Sequence, residues 1–180
     1  HNGANYQIVQ EFKTWEQAAT AAVQQGGFLA QIEDQAEQTA IYNAIMNAGI
    51  STTYTAVGDG GGTAYIWIGA TDKANESTWL WDGNNDNEGV NFFTGQGNLG
   101  DFSAPGYNNW GGKGAGSINE PDDFQSNQDA AAIALAKWPT NPNFTLGVAG
   151  EWNDININNQ LYYIIEFPIS SCKTDNLTIN

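Results

Sequence analysis

The chain has 180 residues, of which 41% are hydrophobic and 12% aromatic, so it is long enough to bury one sizeable core and too apolar to stay disordered. Twenty Asp and Glu residues stand against five Lys and Arg residues, and the net charge of −15 disfavours nucleic acid and anionic membranes as partners. The only histidine is His1 and the only cysteine is Cys172, which excludes an internal disulfide, zinc–histidine sites and catalysis by Ser-His-Asp or Cys-His groups.

Two amphipathic helices are predicted near the start of the chain, after a short strand at residues 6–9. Thr14 with Gln17, and Asp34 with Glu37, have the spacing of a helix N-cap and the side chain that completes a capping box. Glycine follows each predicted helix, as is typical of helix ends. The predicted apolar face of the first helix consists of Trp15, Ala18, Ala19, Ala22 and Val23. That of the second helix consists of Ala36, Ala40, Ala44, Ile45 and Ala48.

After residue 49 the helical pattern does not return. Apolar runs predict strands at residues 65–69, 79–82, 131–136, 146–148 and 161–167. Residues 83–129 are rich in Gly, Asn, Asp and Ser, and a loop of that length in a compact domain is typical of a functional surface. The pattern predicts an α+β fold, with two helices first and then a small antiparallel sheet that carries one very long loop region.

We expect one domain over residues 1–167 and a linker or tail over residues 168–180, because Pro168 ends the last predicted strand. The start at residues 1–3 is typical of a cut made inside a longer protein. No apolar run approaches the ~20 residues of a membrane span, so we expect no membrane insertion.

Six short motifs occur in the order in which they occur in the C-type lectin domain family, and over about residues 5–167 the chain resembles that family. The motifs are Trp67-Ile68-Gly69, Trp79-Leu80-Trp81-Asp82-Gly83, Asn109-Trp110, Glu120-Pro121-Asp122, Trp152-Asn153-Asp154 and the last predicted strand. The resemblance implies a C-type lectin-like fold, with two helices packed on small antiparallel sheets and a long calcium-binding loop region. It also implies a binding protein that uses calcium.

In the family, a Glu-Pro-Asn and a Trp-Asn-Asp tripeptide together hold the calcium ion that binds sugar. By position, the resemblance assigns this ion to Glu120, Asp122, Asn153 and Asp154, and a further family acid falls on Gln128. Asp122 replaces a family amide and Gln128 replaces a family carboxylate, so three carboxylates remain and we expect calcium binding to survive. Because an ionised Asp only accepts hydrogen bonds, the family's mannose-versus-galactose rule does not transfer, although Glu120 favours mannose, glucose or fucose. Taken alone, the first tripeptide is more typical of a polar turn, and its pairing with Trp152-Asn153-Asp154 is what favours the calcium site.

An auxiliary calcium site of the family uses acids from an earlier loop and from the segment after the Pro motif. The corresponding residues here are all acidic: Asp72, Glu76, Asp123 and Asp129. Four acids at four named positions are improbable by chance, and the alternative is a set of solvated loop acids. Phe124 and Trp138 flank the first site, where they either offer a flat face to a ligand or pack in the core.

The family commonly has two disulfides, whose positions are occupied here by Ala22 with Ile165 and by Ala130 with Ile157. We expect apolar packing to replace both cross-links. Disulfide-free versions are typical of bacterial relatives. The resemblance therefore implies a secreted or extracellular module of a larger bacterial cell-surface adhesin.

Four functions are compatible with these features. The first is a calcium-dependent carbohydrate-binding adhesin module, in which sugar hydroxyls complete the Ca²⁺ coordination. The alternative is a calcium-dependent peptide- or protein-binding adhesin module on the same fold. Catalysis is disfavoured because carboxylates that ligate calcium are ionised and occupied, which makes them poor general acids. Ice or mineral binding, known for some relatives, is the remaining hypothesis.

Overall fold

Both helices lie in the first third of the chain, and strands and loops follow, in a computed structural model that describes residues 4–112 and 117–168. His1, Cys172 and the predicted linker beyond Pro168 lie outside the described residues. The predicted α+β class is confirmed. The elements are β1 (Asn5–Lys13), α1 (Trp15–Gln24), β2 (Phe28–Leu29), α2 (Gln35–Asn47), β3 (Tyr65–Thr71), β4 (Thr78–Trp81), β5 (Val90–Gln96), β6 (Asp101–Ser103), β7 (Ala130–Ala134), β8 (Trp152–Ile155) and β9 (Leu161–Phe167).

One branched sheet connects the strands. β9 pairs antiparallel with β1 and parallel with β3, and β3 continues into the antiparallel series β4, β5 and β6. β7 branches from β3 and pairs with β8, where Ala131 lies opposite Asp154. Because β7 begins directly after Asp129, this branch brings the acids before β7 next to Asn153 and Asp154 within β8. The fold therefore joins two segments that are distant in sequence.

The helix caps follow the predicted pattern. The Thr14 side chain accepts from the Gln17 N–H and the Gln17 side chain accepts from the Thr14 N–H, so α1 begins with a complete capping box. Asp34 accepts from the Glu37 N–H at 2.8 Å and caps α2. The predicted face of α1 is confirmed except for Val23, which is 48% exposed because it lies in the last turn.

The predicted apolar face of α2 is wrong at Ala36 and Ala40, which are exposed. The helix instead buries Ile41 and Ile45 together with two polar side chains. Gln38 donates to the carbonyl oxygen of Gly150 and accepts from the indole N–H of Trp152, both at 2.8 Å, while Glu37 accepts from the Glu33 N–H. Polar groups are buried at low cost when they are hydrogen-bonded, so hydrophobicity alone mispredicts this face.

The long predicted loop is partly wrong. Residues 83–129 contain the hairpin of β5 and β6, in which Phe93 stacks on Phe102 at a centroid distance of 5.2 Å. The strand predicted at residues 146–148 is also wrong, because only Gly147 forms a bridge there, with Trp138. The sequence does not predict β8, because its residues Trp-Asn-Asp-Ile contain no apolar run.

The core is built on tryptophans. Trp67, Trp79, Trp81 and Trp110 are at most 4% exposed, which confirms their expected burial beneath the loops. Ala22, Ile165 and Ala130 are buried in one hydrophobic cluster against which Ile157 packs, in agreement with the expectation that apolar contacts replace the family's disulfides. Within residues 4–112 and 117–168, neither helix is long and apolar enough to cross a membrane.

The glycine of the Trp-Ile-Gly motif fits against another strand with no room for a side chain. A Cβ on Gly69 would lie 2.4 Å from the carbonyl oxygen of Leu29, whereas a Cβ on Gly58 would meet nothing within 4 Å. We predict that Gly69→Ala lowers the free energy of unfolding by about 1–3 kcal/mol, because backbone must move to admit the methyl group. Urea denaturation in chelator measures this change. Gly58→Ala is the matched control and should change stability by less than about 1 kcal/mol; equal effects of the two substitutions would contradict the close-approach argument.

Candidate functional site

Two groups of carboxylates meet where β7 and β8 lie side by side. The primary cluster consists of Glu120, Asp122 and Asp154, and the auxiliary cluster consists of Asp72, Glu76 and Asp129. In each cluster one carboxylate oxygen of every residue lies within 4.8 Å of those of the others. The fold thus brings six of the predicted acids together in two groups of three.

Asp154 fixes the loop that carries the first tripeptide. Its side chain is fully buried on β8 and accepts from the backbone N–H groups of Asp122 (3.0 Å) and Asp123 (2.7 Å). Asp123, Gln125 and Ser126 have positive φ angles of 47°, 63° and 52°. Non-glycine residues adopt such angles at a cost, so the loop depends on anchors such as Asp154.

Glu120 is aimed into the primary cluster. The Glu120–Pro121 peptide bond is cis. One carboxylate oxygen, Oε1, accepts from the indole N–H of Trp138 at 3.0 Å, while Oε2 is buried and has no hydrogen-bond partner among the described residues. A buried carboxylate oxygen without a donor is costly unless a cation meets it, so Oε2 fits a cation ligand.

The two amides predicted for the site have different surroundings. Asn153 donates from Nδ2 to the Tyr65 hydroxyl at 3.0 Å, which orients its amide and makes the carbonyl oxygen the atom for a cation. Gln128 uses both ends of its amide on the backbone: Oε1 accepts from the Phe124 N–H at 2.7 Å, and Nε2 donates to the Asp59 carbonyl oxygen at 3.1 Å. In this geometry Gln128 braces the loop, and it would have to release Phe124 to ligate a cation.

Burial and mutual repulsion keep the primary cluster from carrying its full negative charge. Burial, and then the charges of Asp154 and Asp122, raise the pKa of Glu120 to about 10. Burial and the charge of Asp122 raise the pKa of Asp154 to about 8, although its backbone donors favour the charged form. The pKa of Asp122 is raised mainly by burial. A divalent cation supplies the positive charge that these carboxylates otherwise obtain from protons.

The auxiliary cluster also contains a buried carboxylate with a raised pKa, but as a whole it is less buried than the primary cluster. Asp72 accepts from the Ser77 N–H at 2.9 Å through Oδ2, while Oδ1 is buried without a hydrogen-bond partner in the described part of the chain. Burial and the charge of Glu76 raise the pKa of Asp72 to about 8. Asp123, the fourth predicted acid, is not part of the tight group, and its side chain accepts from the Gln128 N–H at 3.3 Å. Its charge still raises the pKa values of Glu76 and Asp129 after burial has done so.

The predicted aromatic residues differ in exposure. Phe124 is 50% exposed, whereas Trp138 is 1% exposed and holds Glu120 from the core side. A cavity of about 260 Å³ adjoins the primary cluster, and both side chains line it. Asp59, Phe144 and Leu146 also line the cavity, and none of them is a site residue predicted from the sequence. For Asp59 the only signal was a Gly-rich loop, for Leu146 it was a predicted strand that does not form, and for Phe144 the sequence pattern gave no signal.

The family model described as Lectin C-type domain matches residues 11–167. C-type Lectin CEL-I from Cucumaria echinata is 22% identical, with a TM-score of 0.59 over 92% of this chain and 91% of that chain. The cow C-type carbohydrate-recognition domain of CD23, solved in the presence of GlcNAc2Man3 oligosaccharide, is 18% identical, with a TM-score of 0.56 over 91% and 87%. A calcium-independent type II antifreeze protein is 18% identical, with a TM-score of 0.55 over 92% and 87%. No curated protein matches the chain significantly.

The raised pKa values predict how the metal-free protein responds to pH. Glu120, Asp72 and Asp154 titrate higher in the folded chain than their unfolded values near about 4, so folding favours their protonated forms. Their contribution to stability is complete below about pH 4 and is lost as the pH rises through the folded pKa values, about 8 for Asp72 and Asp154 and about 10 for Glu120. We predict that the melting temperature in chelator is higher at about pH 5 than at about pH 8.

The double variant Asp72→Asn with Glu120→Gln tests the cause, because each amide oxygen can keep the hydrogen bond that its carboxylate accepts. Thermal melts of this variant in chelator should lose much of the pH dependence. A wild-type slope that persists unchanged in the double variant would assign the effect to the general acidity of the surface instead.

Proposed function

Because the chain belongs to the Lectin C-type domain family, we propose that it is a calcium-dependent carbohydrate-binding module. The observation that carries the proposal is the primary cluster, in which three carboxylates lie within 4.8 Å of one another and one buried oxygen of Glu120 has no hydrogen-bond donor among the described residues. Only oxygen atoms are offered there, and Ca²⁺ prefers oxygen ligands. Glu120, Asp122, Asp154 and the carbonyl oxygen of Asn153 are the proposed ligands.

The chain's own residues fix the shape of this site. Trp138 orients Glu120, Tyr65 orients Asn153, and Asp154 holds the loop through two backbone N–H groups. Calcium, if held by Glu120, Asp122, Asp154 and Asn153, would offer its remaining coordination positions to hydroxyl oxygens of a sugar. Glu120 and Asp154 already accept hydrogen bonds from Trp138 and from the backbone of residues 122–123. The hydroxyls would therefore meet the Asp122 carboxylate, which accepts, and the Asn153 amide, the one proposed ligand group that can also donate.

The family fold by itself does not decide whether calcium is used. One similar structure is of a calcium-independent antifreeze protein, whereas another is of a carbohydrate-recognition domain with an oligosaccharide. What supports calcium here is the pairing of two acidic clusters, each with a buried carboxylate oxygen that lacks a donor in the described ranges. We propose that the auxiliary cluster holds a second calcium ion, with Asp123 beside it.

A calcium-dependent peptide- or protein-binding module is the second candidate. The observation in its favour is Asp122, which stands where the resemblance places an amide and which cannot donate to a sugar hydroxyl when ionised. Both candidates are binding functions, and we propose no catalysis. We further propose an extracellular adhesin setting, in which free calcium is abundant and an acidic surface of −15 net charge remains soluble.

Calcium binding is tested first. We predict that calcium raises the melting temperature, because only the folded chain assembles the clusters. At a calcium concentration one hundred times Kd, the free energy of unfolding should increase by about 2.7 kcal/mol. Glu120→Gln should weaken calcium binding at the primary cluster in isothermal titration calorimetry, whereas Asp101→Asn, an exposed acid outside both clusters, should not. A wild-type chain that shows neither a calcium heat nor a shift would refute the metal proposal.

Sugar binding is tested separately. We predict that a glycan array with calcium returns signals for glycans that display mannose, glucose or fucose, and that a chelator removes them. An array of aromatic and acidic peptides under the same conditions discriminates the second candidate. Chelator-sensitive binding to peptides alone would replace the carbohydrate proposal with that candidate.

A further inference from the structure

An apolar wall stands beside the primary cluster. The cavity of about 260 Å³ shares Glu120, Asp122 and Asn153 with the proposed calcium site, so any ligand bound at the ion extends over this cavity. Most of the remaining lining is apolar. We define the apolar wall as Phe124, Trp138, Pro139, Phe144 and Leu146.

The wall is held in place by the loop between β7 and β8, which contributes four of its five residues. This loop folds back on itself: the Trp138 N–H donates to the Gly147 carbonyl oxygen at 3.0 Å, and the Leu146 N–H donates to that of Trp138 at 2.8 Å. Lys137 donates from Nζ to the Phe144 carbonyl oxygen at 3.4 Å. Hydrogen bonds within the loop therefore set the wall independently of a ligand.

Part of the wall is open to solvent. Phe144 and Phe124 are 51% and 50% exposed, whereas Trp138 is buried at the base of the cavity. Single exposed apolar side chains are ordinary on protein surfaces, but two aromatic side chains that line one cavity form a patch that gains by being covered. The adjoining carboxylates disfavour an anionic group, and the apolar lining disfavours the burial of any charged group, so the covering group is neutral.

We propose that the apolar wall binds an aryl or alkyl substituent of the same glycoside whose hydroxyls bind the calcium ion. This inference rests on the proposed carbohydrate-binding function and narrows its ligand to amphipathic glycosides. The size agrees, because an apolar cavity of about 150 Å³ accommodates benzene, and the space here is larger. The polar part of the ligand contacts the primary cluster, and the apolar part is removed from water by packing on the apolar wall.

The expected gain is measurable. Burial of several carbon atoms at about 0.8 kcal/mol each, reduced because the cavity is open on one side, corresponds to an affinity increase of about tenfold. Phe144 is the residue to change, since it lines the cavity, is half exposed and belongs to neither acidic cluster. Phe12, which is 50% exposed and does not line the cavity, is the matched control.

The test is isothermal titration calorimetry of the full chain, in millimolar calcium, with the methyl and phenyl α-glycosides of mannose, glucose and fucose. We expect the phenyl glycoside of at least one sugar to bind about tenfold more tightly than its methyl glycoside. Phe144→Ala should bring the ratio close to one, with no change in Kd for calcium or for the methyl glycoside. Phe12→Ala should leave the ratio as in the unchanged chain.

The outcomes separate this inference from the function on which it rests. Equal affinities for methyl and phenyl glycosides overturn the inference and leave carbohydrate binding standing. A phenyl preference that survives Phe144→Ala also overturns it. If calcium binds but no glycoside does, the proposed carbohydrate function fails and the inference fails with it, and binding of aromatic peptides in the same calcium buffer then identifies the second candidate.

Discussion

Three carboxylates confined to one buried corner are the constraint on which the rest of this structure depends. Glu120 and Asp154 are at most 2% exposed, and the charge of Asp154 raises the pKa of Glu120 in addition to the effect of burial. Ionised groups in such a position need donors or a cation. The chain provides hydrogen-bond donors for only part of the cluster, through Trp138 and the backbone of residues 122–123. The Oε2 atom of Glu120 has no donor among the described residues, and it lies where the three carboxylates approach one another.

The strand pairing of the fold positions the residues of the primary cluster. β7 and β8 are adjacent only because β7 branches from β3, and this pairing sets Asp154 opposite Ala131 and next to the loop that contains Glu120. The loop between β7 and β8 returns Trp138 beneath the cluster, where its ring lies 5.8 Å from that of Tyr65. The same two aromatic residues orient Glu120 and Asn153. Core packing and ligand placement are therefore carried by shared side chains.

The sequence allowed the fold class, both helix N-caps and the final strand to be predicted, because local hydrogen bonds and apolar runs determine those features. The buried face of α2 could not be predicted from the sequence. Gln38 is buried there only because Trp152 and Gly150, more than 110 residues away, form hydrogen bonds with its amide. The six acids of the two clusters were assigned by resemblance. The apolar wall was not foreseen, since Phe144 and Leu146 meet Glu120 only through the fold of a loop with no periodic pattern.

The amide at position 128 shows how the two departures from the family pattern fit together. Gln128 accepts from the Phe124 N–H and donates to the Asp59 carbonyl oxygen, and only an amide can do both, because an ionised carboxylate has no proton to donate. A carboxylate there would also add a further negative charge to a corner that already holds Glu120, Asp122 and Asp154. With Asp122 in place of an amide, an amide at 128 keeps the charge count at three and ties the loop to the Asp59 segment. The exchange therefore preserves the charge that a calcium ion would meet, while it moves the neutral side chain from the ligand-facing loop to its support.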